Sequence, residues 1–162
     1  MEEIVIALGS NLGDRLEMLK KAGSFLNDLS KGPISKSSIW ETEPIGDARY
    51  TFYNAAVKIY HDTDPLQILK ELKNFEIDCG REVKPVKWGP RIIDLDIICY
   101  GNLVIDNETL IIPHPEYQNR LFVLKPMVEV HENWIDPRSS KSVETLIDEA
   151  PDMDIKKTEI RW

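Results

Sequence analysis

Strand, helix, strand, strand, helix, strand is the order in which the hydrophobic pattern changes along this 162-residue chain. That order predicts an α+β fold with a ferredoxin-like βαββαβ core. Three observations carry the prediction. Apolar, β-branched or aromatic runs fall at residues 3–9, 34–42, 52–61 and 92–100; apolar residues recur at helical spacing over 16–29 and 66–79; and the runs are separated by turn-forming clusters. The expected result is an antiparallel sheet with two helices on one face, the other face left for ligands, and a less regular extension over 106–162.

Each element has a local cause. The run 3–9 stops at Gly9-Ser10-Asn11-Leu12-Gly13-Asp14. Asp14, with Glu17 three residues on, resembles a capping pair for a helix carrying Leu16, Leu19, Ala22, Leu26 and Leu29. The next two strands are parted by Glu43-Pro44-Ile45-Gly46-Asp47. A second helix opens at Asp64-Pro65, places Leu66, Ile68, Leu69, Leu72, Phe75 and Cys79 on one side, and stops at Gly80. After an irregular basic stretch comes the strand 92–100, and Gly101-Asn102 supplies a hairpin turn into Leu103-Val104-Ile105. Beyond it lie Pro113-His114-Pro115, an apolar segment from Leu121 to Val130, and a helix expected at 142–149.

Composition sets the outer bounds. A chain of this length with 42% hydrophobic residues fits a single domain spanning 1–162. A net charge of −8 argues against general affinity for nucleic acid. The N-terminus lacks the basic start and apolar core of a secretory signal, and no run reaches membrane-spanning length, so a cytoplasmic protein is expected. Cys79 and Cys99 show neither zinc spacing nor a disulfide framework and are expected to be buried free thiols.

Asp94 and Asp96 are the most informative pair. A strand projects alternate side chains onto one face, so these carboxylates start about 6 to 7 Å apart. At an effective dielectric of about 20 their repulsion is roughly 2 to 3 kcal/mol. A hard divalent cation, Mg²⁺ above all, offsets that cost, and the adjacent Arg91 adds a fixed positive charge suited to phosphate. The competing reading is an edge strand whose carboxylates face water.

Other constellations stay open when taken singly. Gly9 to Asp14 lacks the Gly-Lys-Ser/Thr ending of a phosphate loop and reads better as a turn before a capped helix. Phe52 and Asn54 share a strand face, where a ring can stack on a heterocycle while an amide reads its edge; an ordinary core phenylalanine is the alternative. Glu76 lies on the apolar side of its helix. Arg81, Lys87, Arg91 or a nucleotide hydroxyl could pair with it, or it could reach water. The stretch 81–91 gathers Arg81, Lys84, Lys87, Trp88 and Arg91 within an acidic chain, which suits an anionic ligand or a solvated loop. His114 and Arg120 lie in one further polar block.

Together the blocks resemble a family. Lys87-Trp88-Gly89-Pro90-Arg91-Ile92-Ile93-Asp94-Leu95-Asp96-Ile97-Ile98 is similar to the signature of the 6-hydroxymethyl-7,8-dihydropterin pyrophosphokinases. The Gly9–Asp14 block, Tyr53-Asn54-Ala55-Ala56, and Pro113-His114-Pro115 through Arg120-Leu121-Phe122-Val123-Leu124 follow the same family's order. The resemblance implies transfer of pyrophosphate from ATP, the co-substrate, to a reduced pterin, with release of AMP. It also implies two Mg²⁺ ions held by Asp94 and Asp96. Arg81 and Arg91 would join these aspartates as catalytic groups. Lys73, Glu76, Arg81, Trp88, Arg91, Ile97, His114 and Arg120 would serve ATP. Thr42, Pro44, Ile45, Phe52, Asn54, Asp94 and Phe122 would bind the pterin between two rings. Loops 43–51 and 81–90 would close over the substrates. A monomer acting on small molecules, without nucleic acid or membrane as partner, is expected.

Some positions depart from the family pattern. Phe52 stands where a tyrosine is common, Val83 where arginine occurs, Thr109 and Ile111 replace polar or basic residues, and Pro115 replaces an aromatic. No general base is evident. Competing classes are a noncatalytic ligand-binding domain of the same fold and a metal-dependent nucleotidyltransferase acting on nucleic acid; metal binding separates the first, and the −8 charge disfavours the second.

Overall fold

The computed structural model describes residues 1–43, 51–80 and 92–162. β1 (Glu2–Ser10) alternates as the sequence requires: Ile4, Ile6 and Leu8 enter one hydrophobic cluster, while Val5 enters another on the opposite face. α1 (Arg15–Leu29) begins where Asp14 accepts the Glu17 N–H at 3.1 Å, so the expected cap is formed.

The single strand expected over 34–42 is two short ones, β2 (Ser35–Lys36) and β3 (Trp40–Thr42). Between them Ser37 donates its N–H to the Ala56 carbonyl at 2.9 Å, and its hydroxyl accepts the Ala56 N–H at 2.8 Å. A side chain thus takes the rung a backbone carbonyl would have filled, and regular pairing lapses.

β4 (Phe52–His61) matches its expected bounds. In α2 (Pro65–Asp78), Asp64 caps the Leu66 N–H at 2.8 Å, Pro65 sits in the first turn, and the chain leaves at Gly80 with φ +98°. Leu66 is a correction: it is 44% exposed. At 3.6 residues per turn it lies about two fifths of a turn off the stripe through Ile68 and Leu72.

β5 (Asp94–Tyr100) starts later than the run at 92, with Ile93 already buried. The turn after it forms, with Gly101 at φ +54°, yet the returning residues do not pair with β5. Instead β6 (Ile105–Asp106) pairs with β7 (Ile111–Ile112), leaving Leu103 and Val104 exposed. The outer edge of β5 is occupied: Leu95 bonds to side chains of α2, and the Ile98 carbonyl accepts the His114 N–H.

The main sheet has the order β5-β1-β4-β3-β8, with β2 also on β4 and β8 (Ile155–Lys157) supplied by the C-terminal segment. α1 and α2 cover the face of Ile4, Ile6, Val57, Ile59, Leu95 and Ile97. The opposite face is not left entirely to ligands. The apolar segment 121–130 folds as α3 (Leu121–Val130), and with α4 (Val143–Glu149) it buries Val5, Ala56, Ile98 and Cys99. A sheet with apolar residues on both faces needs both covered. Towards the other end of the same strands lie Gly9, Asn54 and Asp94, paired across β4, β1 and β5.

A bulge separates the Ile6–Ile97 and Val5–Cys99 pairs, so Ile98 is inserted opposite β1. Both Ile98 and Cys99 consequently pack under α3. Cys99 is buried, Cys79 only partly, and both are free. No helix among the described residues is long and apolar enough to cross a membrane.

Candidate active site

The register brings the carboxylate pair and the polar end of β4 onto one sheet face. Gly9 of β1 pairs with Asp94 on one side and Asn54 on the other, and Ala7 pairs with Asp96 and Ala56. With strands about 4.8 Å apart, Asp94 and Asn54 stand roughly 10 Å apart across Gly9. The glycine has no side chain to fill the space between them. A Cβ built there would meet Asn54 Oδ1 and Phe52 Cδ1, each at 3.8 Å.

Asp94 and Asp96 are both half-buried. Burial, and then the charge of Asp94, push the Asp96 carboxyl up to about 7. The backbone between them is pinned from α2. Glu76 is 1% exposed; its Oε2 accepts the Leu95 N–H at 2.8 Å and its Oε1 lies 3.1 Å from Lys73 Nζ. The sequence left open that Glu76 reaches water, and its burial removes that alternative. Lys73 also approaches the Leu95 carbonyl at 3.5 Å. Leu95 therefore turns both backbone groups away from β1, and Ile97, two residues on, has the same sense. The Ile97 side chain is in the core under α1 and α2, so only its backbone is available to a ligand at this edge.

His114 is held by the bulge. Its N–H donates to the Ile98 carbonyl at 2.9 Å, and its Nδ1 accepts the Glu116 N–H at 3.1 Å. With Nδ1 an acceptor, the proton resides on Nε2. Burial first, then Arg120, lower its pKa to about 4, and Asp94 counts among the charges acting on it. His114, Arg120, Lys73, Asp94 and Asp96 thus form one electrostatic group.

The other end of the face is a polar clasp. Asn54, 3% exposed, donates from Nδ2 to the Trp40 carbonyl at 3.1 Å and to Thr42 Oγ1 at 3.0 Å. A carbonyl only accepts, so the amide nitrogen must face it and Oδ1 is directed elsewhere, on the side of Gly9. Phe52 pairs with Thr42 in the β3–β4 register. Phe122, in the first turn of α3, packs at the edge of the second cluster, with the Arg120 guanidinium 5.8 Å from its ring centre.

Pro44, Ile45, Arg81, Trp88 and Arg91 lie outside the described residues, as do most of the two loops expected to close. The sequence reading missed three contributors. Gly9, expected as the last residue of the first strand and the start of a turn, lies inside β1 on the floor of the site; a glycine inside a strand is itself a signal of close approach. Ser10 donates its hydroxyl to the Ile92 carbonyl at 2.5 Å, fixing the lead-in to Asp94. Trp40 supplies the carbonyl that orients Asn54, and no pattern in the sequence marks a backbone group.

Two neighbouring carboxylates offer hard oxygen donors and a repulsion that a divalent cation relieves, which fits Mg²⁺. Among the described residues no cluster of three or more His, Cys, Asp or Glu is arranged to hold a metal. The pair would therefore share an ion with phosphate oxygens and water, the usual habit of Mg²⁺.

Residues 5–132 match the family described as 7,8-dihydro-6-hydroxymethylpterin-pyrophosphokinase (HPPK). The chain belongs to the HPPK family. It is 42% identical over 127 residues to the 2-amino-4-hydroxy-6-hydroxymethyldihydropteridine pyrophosphokinase of Bacillus subtilis strain 168, covering 77% of this chain and 75% of that one. It is 37% identical over 156 residues to the folic acid synthesis protein fol1 of Pneumocystis carinii, covering 96% of this chain and 21% of the relative. In fold it is similar to the crystal structure of Plasmodium falciparum HPPK-DHPS A437G with pteroate, with a TM-score of 0.68 at 14% identity, over 91% of this chain and 43% of that one. Set against the fol1 protein and the Plasmodium chain, the HPPK-family chain spans less than half of their lengths.

Proposed function

We propose that this chain transfers the pyrophosphoryl group of ATP to the hydroxymethyl group of 6-hydroxymethyl-7,8-dihydropterin, giving AMP and the pterin diphosphate, as a step of folate biosynthesis. The observation that carries the reading is the pairing of Gly9 with both Asp94 and Asn54. It sets a cation-binding end and a heterocycle-reading end on one face, about 10 Å apart. A pterin seated over Gly9 presents its hydroxymethyl group towards the aspartates and its amino edge towards Asn54.

The described residues have distinct tasks in this reading. Asn54 Oδ1 accepts a pterin N–H while Thr42 and Trp40 fix the amide. Phe52 and Phe122 sandwich the ring, with Pro44 and Ile45 beside it. Neutral His114 donates Nε2–H to a phosphate oxygen, and Arg120 adds charge there. Lys73, Glu76 and the Ile97 backbone line the nucleotide side. Arg81 and Arg91 hold phosphate oxygens, and Trp88 helps seal the site. The pterin hydroxyl oxygen attacks the β-phosphorus in line; a new O–P bond forms, the bridge to the α-phosphate breaks, AMP leaves, and the hydroxyl proton is released to solvent. Two Mg²⁺ ions, held by Asp94 and Asp96, supply neutralisation of phosphate charge when bound.

We further read the chain as one domain over 1–162, acting as a cytoplasmic monomer on ATP and pterin; the two free thiols fit that compartment. The test mixes protein, MgATP and hydroxymethyldihydropterin. AMP and pyrophosphorylated pterin in equal amounts support the reading, and ADP in place of AMP refutes it.

A further inference from the structure

The turn that presents His114 is gripped at both ends by one loop that follows α3. Arg138 donates from Nη1 to the Pro113 carbonyl at 2.9 Å and from Nη2 to the Ile105 carbonyl at 3.1 Å. Two residues earlier, Asp136 is 6% exposed and accepts the Tyr117 hydroxyl through Oδ2. Its Oδ1 takes the N–H groups of Arg138 at 2.6 Å and Ser139 at 3.3 Å, so the loop is closed on the same carboxylate. Tyr117 is itself 1% exposed and stacks edgewise on Trp134, their ring centres 6.1 Å apart. The loop is thus bonded to the turn at Pro113 and at Tyr117, and His114 lies between these two grips.

We infer that Arg138 is a positioning residue for the nucleotide site, acting through Pro113 to hold the His114 imidazole where its Nε2–H meets a phosphate oxygen. The inference rests on the proposed role of His114. Arg138 touches no substrate in this arrangement. Its planar fork spans two backbone carbonyls, one in β6 and one beside His114, and so ties the β6–β7 hairpin to the turn. Lysine keeps the charge but cannot span both acceptors in a fixed geometry. Residue 138 also lies beyond residues 5–132, which match the family.

The same loop offers a matched control. Lys141 pairs instead with Glu149 at 2.6 Å, and both side chains are about half exposed. Removing that pair perturbs the segment without releasing Pro113.

The experiment compares wild type, Arg138→Ala, Arg138→Lys and Lys141→Met. KM is measured for ATP and for the pterin separately, binding of a nonhydrolysable ATP analogue with Mg²⁺ by calorimetry, and the His114 tautomer by long-range ¹H–¹⁵N correlation spectra. Arg138→Ala is expected to raise KM for ATP about tenfold and weaken analogue binding alike, with pterin KM changed less than about twofold. The His114 signals shift from one Nε2–H tautomer towards a mixture. Arg138→Lys falls between, and Lys141→Met matches wild type in all readouts. Unchanged analogue binding with an unchanged His114 spectrum in Arg138→Ala overturns the inference. Equal loss for both substrates, or the same loss in Lys141→Met, also overturns it, because that is general loosening. If wild type makes no AMP yet Arg138→Ala still alters His114 and analogue binding, the transfer reaction fails while the positioning role stands.

Discussion

Glu76 of α2 holds the N–H of Leu95 at 2.8 Å, and Leu95 is the residue between Asp94 and Asp96. A buried carboxylate is therefore spent on the backbone of the strand that carries the cation-binding pair. It fixes where both aspartates point, and Lys73 at 3.1 Å offsets part of its charge.

Glu76→Ala leaves a buried N–H unsatisfied and removes the partner of Lys73. It should cost about 2 to 4 kcal/mol of stability in urea denaturation. Glu76→Gln keeps an acceptor and should cost less than half as much. Equal losses for the two would show that the charge, and not the hydrogen bond to Leu95, matters.

Asp94→Asn and Asp96→Asn each remove a charge and keep shape, so each should lower kcat at least about a thousandfold while leaving the far-ultraviolet spectrum unchanged. Because burial and the charge of Asp94 both disfavour its ionised form, Asp96→Asn should not lower the stability of the metal-free protein at pH 7. A destabilised Asp96→Asn would mean that the pair is held by something other than an added cation.

The pH dependence of stability contains two opposing slopes. Asp96 is raised from 3.8 to about 7, so between these values the folded state holds the extra proton and stability falls as pH rises. His114 is lowered from 6.5 to about 4, so between these values the unfolded state holds the extra proton and stability rises with pH. In metal-free wild type the two largely offset. Asp96→Asn should expose a rise from about pH 4 to 6.5, and His114→Asn a decline from about pH 4 to 7; urea midpoints at a series of pH values read both. Added MgATP should steepen affinity upward through about pH 7, with proton release, as Asp96 ionises.

Gly9→Ala tests the floor of the site. Its new methyl would stand 3.8 Å from Asn54 Oδ1 and Phe52 Cδ1, an ordinary contact, so the fold should tolerate it within about 1 kcal/mol. Pterin affinity, followed by ligand fluorescence, should drop about tenfold or more, while analogue binding stays near wild type. An unaltered pterin affinity would place the ring elsewhere.

Much of this molecule was legible along the chain. Asp14 and Asp64 announced the two helix starts because a cap is a local exchange between a side chain and the next turn's N–H groups. The shared face of Asp94 and Asp96, and of Phe52 and Asn54, followed from the two-residue period of a strand. Less was legible where a partner comes from far away. The break between β2 and β3 depends on Ser37 meeting Ala56, and the pairing of β6 with β7 depends on α2 already holding the edge of β5.

What the sequence determined by itself is the set of elements and the chemistry of each face, since propensity, capping and period act within a few residues. What only the tertiary structure decided is register: that Gly9 falls between Asp94 and Asn54, that the Ile98 bulge meets His114, and that Glu76 closes on Leu95. Register is settled by how both faces of the sheet are buried at once, and a slip of one residue in β5 would turn Asp94 and Asp96 to the other face and leave Leu95 out of reach of Glu76.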